Sequence, residues 1–184
     1  MRDVILYMSM SLDGFVGSDR EHPGIAIPEG VQLKQWKLDR ISKAGAHLMG
    51  RVTYQEMASY WPRSEDRYAA SMNDIPKVVF SKTLGDGEAT WPVTRVARGD
   101  LATEIAAIKA ESGPDVVVWG GGRLAGALAA ADLIDEYRLL IQPLVLGRGQ
   151  ALFDQLPGSR HLELVDATPF PSGVVVQVYR PHHT

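Results

Sequence analysis

The sequence predicts an α/β fold: a central mixed, mostly parallel sheet flanked by helices, with antiparallel strands added at the C-terminal end. Three observations carry this. Short runs rich in Val, Ile and Leu alternate with helix-patterned segments over residues 4–131. Several of these runs end in glycine-containing turns that lead into a helix, the connection that parallel strands require. From Tyr137 onward the strands follow one another with loops and no helical pattern between them, which suits antiparallel pairing.

The elements follow in order. Residues 4–8 (Val-Ile-Leu-Tyr-Met) form a continuous apolar run, a buried first strand that ends in the turn Ser11-Leu12-Asp13-Gly14. Residues 18–30 carry Pro23, Gly24, Pro28 and Gly30 and read as an irregular loop. A helix is expected over 31–43, with Leu33, Trp36 and Ile41 near helical spacing and Gly45 stopping it. A short strand at 46–49 turns through Gly50-Arg51-Val52-Thr53 into a helix over 53–60. Strands are expected at 77–81 and 93–97. The helix over 101–111 has a Leu101, Ile105, Ile108 stripe, Asp100 to cap it and Gly113-Pro114 to end it. Residues 115–119 are apolar enough for the sheet centre. Gly120-Gly121-Gly122 then opens a helix that runs through Ala131. The last strands are placed at 137–142, 161–167 and 174–179, and Asp135-Glu136 are expected in a solvated turn.

Composition narrows the function classes. At 184 residues the chain suits one domain, 1–184, with no linker to divide it. It contains no cysteine, which excludes a disulfide framework, a thiolate nucleophile and cysteine-based metal sites. The 19 basic and 22 acidic residues nearly balance, so no electrostatic case exists for nucleic acid or an anionic membrane. No apolar run reaches the ~18 residues of a membrane span, and none near Met1 resembles an export signal. A cytoplasmic protein is expected. The five histidines, His22, His47, His161, His182 and His183, show no metal-binding spacing, so no metal is expected. His47 lies in a buried strand and reads as a structural residue with satisfied hydrogen bonds. No G-x-S-x-G elbow and no Walker-type phosphate loop occur.

In open α/β sheets ligands bind beyond the carboxyl ends of the strands, and the turns there are polar or glycine-rich. Gly120-Gly121-Gly122-Arg123-Leu124 lets backbone N–H groups approach a phosphate closely at the positive end of a helix. Gly50-Arg51-Val52-Thr53 places glycine, a fixed cation and a hydroxyl at a second helix start. Ser81-Lys82-Thr83 follows a buried strand with two hydroxyls and an ammonium. Each turn also has an ordinary structural use. Together the three can span an extended polyphosphate such as a dinucleotide. A conventional dinucleotide-binding domain fits poorly, because its glycine turn follows the first strand rather than the fifth.

Six ordered motifs resemble the dihydrofolate-reductase-like superfamily. They are Ser11-Leu12-Asp13-Gly14-Phe15-Val16, Met49-Gly50-Arg51-Val52-Thr53-Tyr54, Val79-Phe80-Ser81-Lys82-Thr83-Leu84, Trp119-Gly120-Gly121-Gly122-Arg123-Leu124, Leu133-Ile134-Asp135-Glu136-Tyr137 and Pro143-Leu144-Val145-Leu146-Gly147-Arg148-Gly149. They are most similar to the reductase domain of the bifunctional riboflavin-biosynthesis deaminase-reductase and its free-standing bacterial relatives. The resemblance implies NADPH as hydride donor and a homodimer. It puts Arg51, Val52 and Thr53 at the cofactor phosphates, with Arg51 also near the 2′-phosphate, and Ser81 and Lys82 at the adenosine ribose and 2′-phosphate. It puts Gly120, Gly121, Gly122, Arg123 and Leu124 around the pyrophosphate, with the loop to Gly17 closing beside the nicotinamide.

The same resemblance implies a reductase of a small pyrimidine- or pteridine-like heterocycle, in the manner of a 5-amino-6-(5-phosphoribosylamino)uracil reductase. Folate reductases carry an acid on the helix after the first strand, and that place falls at or near Lys34 here, so dihydrofolate is the weaker alternative. A non-catalytic nucleotide-binding or sensory module on the same fold is the other. Chain length and the absence of cysteine argue against a fused zinc deaminase. Hydride transfer needs a held nicotinamide, an electrophilic C=O or C=N and a proton source. Asp13 and Tyr7 are the candidate catalytic side chains; Asp13 also fits a turn residue that binds backbone. Trp36 is the candidate to stack on the substrate ring, or to serve as core.

Overall fold

The computed structural model describes residues 1–17 and 29–182; the loop expected over 18–30 lies almost wholly outside them, as do His22 and His183. Its centre is an eight-stranded sheet built on β1 (Val4–Ser11). Strands β3 (Ala46–Gly50), β4 (Lys77–Phe80), β5 (Thr94–Ala97) and β6 (Val116–Trp119) run parallel to one another and to β1. On the other side of β1 lie β7 (Glu136–Gln142), β10 (Val175–Pro181) and the edge strand β9 (Leu162–Pro169), giving the order β5-β4-β3-β6-β1-β7-β10-β9. A separate two-stranded pair joins β2 (Phe15–Gly17) to β8 (Gln150–Ala151).

The expected strand order along the chain holds, and β6 lies in the sheet interior between β3 and β1. One direction differs. The sequence groups β7 with the antiparallel additions, yet it pairs parallel to β1 from Ile5↔Glu136 to Ser11↔Gln142. The reason is α5 (Gly122–Ala130), which carries the chain from β6 across to β7 and returns it in the same sense. In the eight-stranded sheet the antiparallel pairings are β7–β10 and β10–β9.

Side chains alternate across the sheet. Val4, Leu6, Met8, Val116 and Val118 pack beneath α4 (Leu101–Ala110) and α5, through Ile105, Ile108, Leu128 and Ala129. Ile5 and Tyr7 alternate with these, and Tyr7, Val117 and Trp119 pack beneath α1 (Gly30–Ile41), α2 (Arg51–Tyr60) and α3 (Ala69–Asp74), through Leu33, Ile41, Tyr54 and Met72. Asp100 caps α4 as expected: its carboxylate accepts the Thr103 N–H at 3.1 Å. Helix α3 carries no apolar period long enough to announce itself and is held by the residues it packs on.

Asp135 and Glu136 do not form a solvated turn. The Asp135 carboxylate accepts the Val4 N–H at 2.7 Å and ion-pairs with Lys109 at 2.6 Å. Buried Glu136 binds Arg138 at 2.7 Å and Arg180 at 2.9 Å, joining β7 to β10. Both stand where β7 enters the sheet beside the first residue of β1, so the sheet buries Glu136 and half-buries Asp135. Among the described residues no helix is long and apolar enough to cross a membrane.

Candidate active site

The carboxyl ends of β3 and β6 each run directly into a helix. Gly50 is extended (φ −81°, ψ 167°) and α2 begins at Arg51 without a side-chain cap. After Trp119 the backbone turns through Gly120 (φ +34°) and Gly121 (φ +71°), both in the left-handed region that L side chains avoid. Helix α5 begins at Gly122, again without a side-chain cap. Its N-terminal donors and those of α2 are therefore left for a ligand or water.

The two helix starts touch. A Cβ placed on Gly121 would lie 2.7 Å from Thr53 Oγ1, and one on Gly50 would lie 3.8 Å from Leu124 Cβ. A Cβ on Gly122 would fall 2.5 Å from the Gln150 amide carbon. The cradle is thus closed by Thr53 on one side and Gln150 on the other, and glycine is needed for shape as well as for backbone angle. Gly17 pairs with Gln150 in the β2–β8 ribbon, which brings it to this place. Arg51, Val52 and Arg123 are exposed, and the two arginines form no ion pair or hydrogen bond among the described residues. Thr53 is buried and Leu124 half-buried.

Ser81 and Lys82 line a neighbouring cleft of about 360 Å³ with Phe80, Ala97, Gly99, Asp100 and Leu101. The Ser81 hydroxyl accepts the backbone N–H groups of Thr83 (3.2 Å) and Leu84 (2.9 Å), so it shapes the turn. Lys82 is exposed beside it.

Tyr7, Trp36 and Trp119 gather on the α1 side of the sheet. The Tyr7 ring centroid lies 6.1 Å from Trp36 and 5.2 Å from Trp119, and Phe170 meets Trp36 edge-on at 6.2 Å. The Arg40 guanidinium covers one face of Trp36 at 3.8 Å. Tyr7 is buried, and its hydroxyl has no hydrogen-bond partner among the described residues. Burial, followed by the charge of Glu29, pushes its pKa far above the ordinary phenol value, so at neutral pH it is a neutral donor. Trp119 donates its indole N–H to His47 Nδ1 at 2.8 Å, and His47 Nε2 lies 3.1 Å from the Ser71 carbonyl. His47 is the satisfied structural residue expected.

Asp13 stands apart from this cluster. It is exposed, and its carboxylate accepts the N–H groups of Leu146 (3.1 Å) and Gly147 (2.7 Å). A hydrogen bond from the Ser11 side chain, then these two N–H groups, draws its pKa down to about 2. An ionised carboxylate of that kind holds the segment after β7 onto the β1–β2 turn; at neutral pH it has no proton to give. The backbone it binds belongs to a distant segment rather than to its own turn. Gln150 as a cover for Gly122 was not foreseen, and nothing local in the sequence marks it. The place of Trp119 directly before three glycines was a readable sign of its position. Among the described residues no group of three or more His, Asp or Glu side chains is arranged to hold a metal.

Residues 2–176 match the RibD C-terminal domain. The chain belongs to that family. The uncharacterized protein YyaP of Bacillus subtilis (strain 168) is 28% identical over 186 residues, spanning 97% of this chain and 94% of YyaP. Among solved structures, a putative riboflavin biosynthesis protein from Shewanella sp. PV-4 superposes with a TM-score of 0.78 at 21% identity, over 100% of both chains. A Thermotoga maritima diaminohydroxyphosphoribosylaminopyrimidine deaminase/5-amino-6-(5-phosphoribosylamino)uracil reductase gives 0.70 at 16%, over 98% of this chain and 57% of that one. Dihydrofolate reductase from Enterococcus faecalis, complexed with NADP(H), gives 0.66 at 16% identity, over 98% and 97%. The fold is dihydrofolate-reductase-like.

Proposed function

We propose that this chain is an NADPH-dependent reductase of a small planar heterocycle, with 5-amino-6-(5-phosphoribosylamino)uracil the first substrate to test. One observation carries the reading. Two helix N-termini without side-chain caps, α2 and α5, abut where a Cβ on Gly121 would collide with Thr53. That donor set fits a pyrophosphate: backbone N–H groups at two positive helix ends, flanked by the exposed cations Arg51 and Arg123. Lys82, in the adjoining cleft, suits a 2′-phosphate. Membership of the RibD C-terminal domain family supports the same chemistry.

When bound, the cofactor supplies the hydride. The chain supplies the rest. The glycine turns admit the pyrophosphate, and Thr53 and Gln150 hold the turns in shape. Trp36 and Trp119 wall the substrate side and exclude water. Behind this wall the neutral, unpartnered Tyr7 O–H is buried, and a carbonyl oxygen or ring nitrogen that reaches it would gain a donor that steadies charge developing there. With Asp13 ionised and engaged, the proton that completes the reduction comes from solvent. Dihydrofolate fits less well: Lys34 is exposed, Asp39 is bonded to Gln35, and Glu29 is held by Lys37 and Tyr68. The proposal includes a homodimer, which light scattering measures directly.

The test has two stages. NADPH and NADH are titrated by nicotinamide fluorescence, and NADPH binds at least tenfold tighter; absence of binding overturns the reading. Loss of reduced-nicotinamide absorbance is then followed with pyrimidine, pteridine and carbonyl acceptors. Binding without turnover on any of them identifies a nucleotide-binding module instead.

A further inference from the structure

Trp119 is the last residue of β6, one position before the left-handed Gly120–Gly121 pair, and its ring packs against Tyr7. It therefore stands between the glycine cradle and the unpartnered Tyr7 hydroxyl. What fixes its ring is His47, on the adjacent strand β3. In the parallel register His47 lies opposite Val117, so Trp119 is its diagonal neighbour on the same face. An indole nitrogen can only donate, so the 2.8 Å bond requires an unprotonated Nδ1 on His47. Nε2 then carries the ring hydrogen and donates it to the Ser71 carbonyl at 3.1 Å. The two rings meet edge-on, at 5.6 Å and 70°.

His47 has no exposed surface, and α3 holds its far side. Rotation of the imidazole loses both hydrogen bonds, and rotation of the indole leaves a buried donor and a buried acceptor unpaired. An aliphatic residue would fill the same space without these demands. The polar pair therefore specifies an orientation.

We propose that His47 is a positioning residue of the candidate active site: through the Trp119 indole it preforms the nicotinamide side, while the adenosine side at Lys82 is independent of it. This deepens the proposed function and rests on it.

The probes are NADPH and 2′,5′-ADP, which carries only the adenosine half. For His47→Leu and Trp119→Phe the Kd for NADPH rises at least fivefold, while the Kd for 2′,5′-ADP stays within twofold. The double variant is no worse than either single one, because both break one link. His47→Asn keeps an acceptor near the Nδ1 position and recovers NADPH affinity to within threefold of wild type. In ¹⁵N spectra of the wild type, one indole N–H assigned to Trp119 exchanges slowly with water; it speeds up in His47→Leu and stays slow in His47→Asn. If His47→Leu fails to fold, the Asn and Phe variants still decide. Equal losses for both probes, additive losses in the double variant, or no rescue by Asn would overturn the proposal. Failure of the wild type to bind NADPH overturns the functional reading and the positioning role together, and the indole exchange rate shows separately whether the His47–Trp119 link exists.

Discussion

Gly121→Ala is the sharpest test of the cradle. Gly121 has φ +71°, and the αL region costs an L residue roughly 1–2 kcal/mol. The new methyl carbon would also lie 2.7 Å from Thr53 Oγ1, closer than a Cβ tolerates. Thr53 is buried, so its side chain gives way by leaving its rotamer, for about 0.5–1.5 kcal/mol. The expected loss is therefore about 2–3 kcal/mol. For a chain of this size that corresponds to a fall in Tm of roughly 4–12 °C. Thermal and urea unfolding measure it. Adding Thr53→Ala removes the contact and not the backbone strain, so the double variant recovers about 1 kcal/mol relative to the sum of the single ones. NADPH affinity should fall more than tenfold in Gly121→Ala, since the methyl group intrudes where the pyrophosphate would lie. A variant with wild-type Tm and wild-type NADPH affinity would refute both the strain and the placement of the site.

Other outcomes are expected. Lys82→Ala weakens NADPH binding about tenfold and NADH binding less than threefold in fluorescence titrations, because the 2′-phosphate distinguishes the two; equal losses count against that assignment. His47 is buried neutral, and burial pushes its pKa from 6.5 down to about 4. The unfolded chain therefore takes up the proton first, and stability declines as pH falls from about 6.5 to 4, by roughly 3 kcal/mol in all. Urea melts show that decline in the wild type and a shallower one in His47→Asn. Val93 is a β-branched residue at φ +57° with an exposed side chain. Val93→Asn, which tolerates αL better, should stabilise by about 1 kcal/mol and raise Tm by roughly 2–4 °C in a thermal melt.

The sequence was most legible where a local pattern has a local cause. β1 and β6 announced themselves by unbroken apolar runs, and α4 by Asp100 and its isoleucine stripe. The Gly120–Gly121 turn was visible because its left-handed backbone calls for glycine, and Gly50 because a glycine before a helix-patterned segment marks a turn. What escaped depends on partners distant in the chain. The direction of β7 is set by the α5 crossover that precedes it, and no property of residues 136–142 encodes that. Glu136 reads as a surface acid until Arg180, 44 residues on, is brought against it. Asp13 reads from the sequence as a candidate catalytic side chain or a turn residue, because its partners, Leu146 and Gly147, lie more than 130 residues away. The aromatic cluster was half visible: Tyr7 and Trp36 were named, whereas the link from Trp119 to His47 requires β3 and β6 to be neighbours.

Gln150 and Asp13 tie the segment after β7 to the turns at the front of the sheet, and this bears on the order in which the site comes into being. The glycine turn at 120–122 is complete in the chain long before Gln150 is. It acquires its outer wall only when residues 143–150 fold back over α5 and β2. A nucleotide that grips the finished cradle therefore also grips the late-arriving half of the molecule. Ligand should protect the β7–β8 connection from proteolysis as strongly as it protects the glycines themselves, although no atom of Leu146 or Gly147 need touch it.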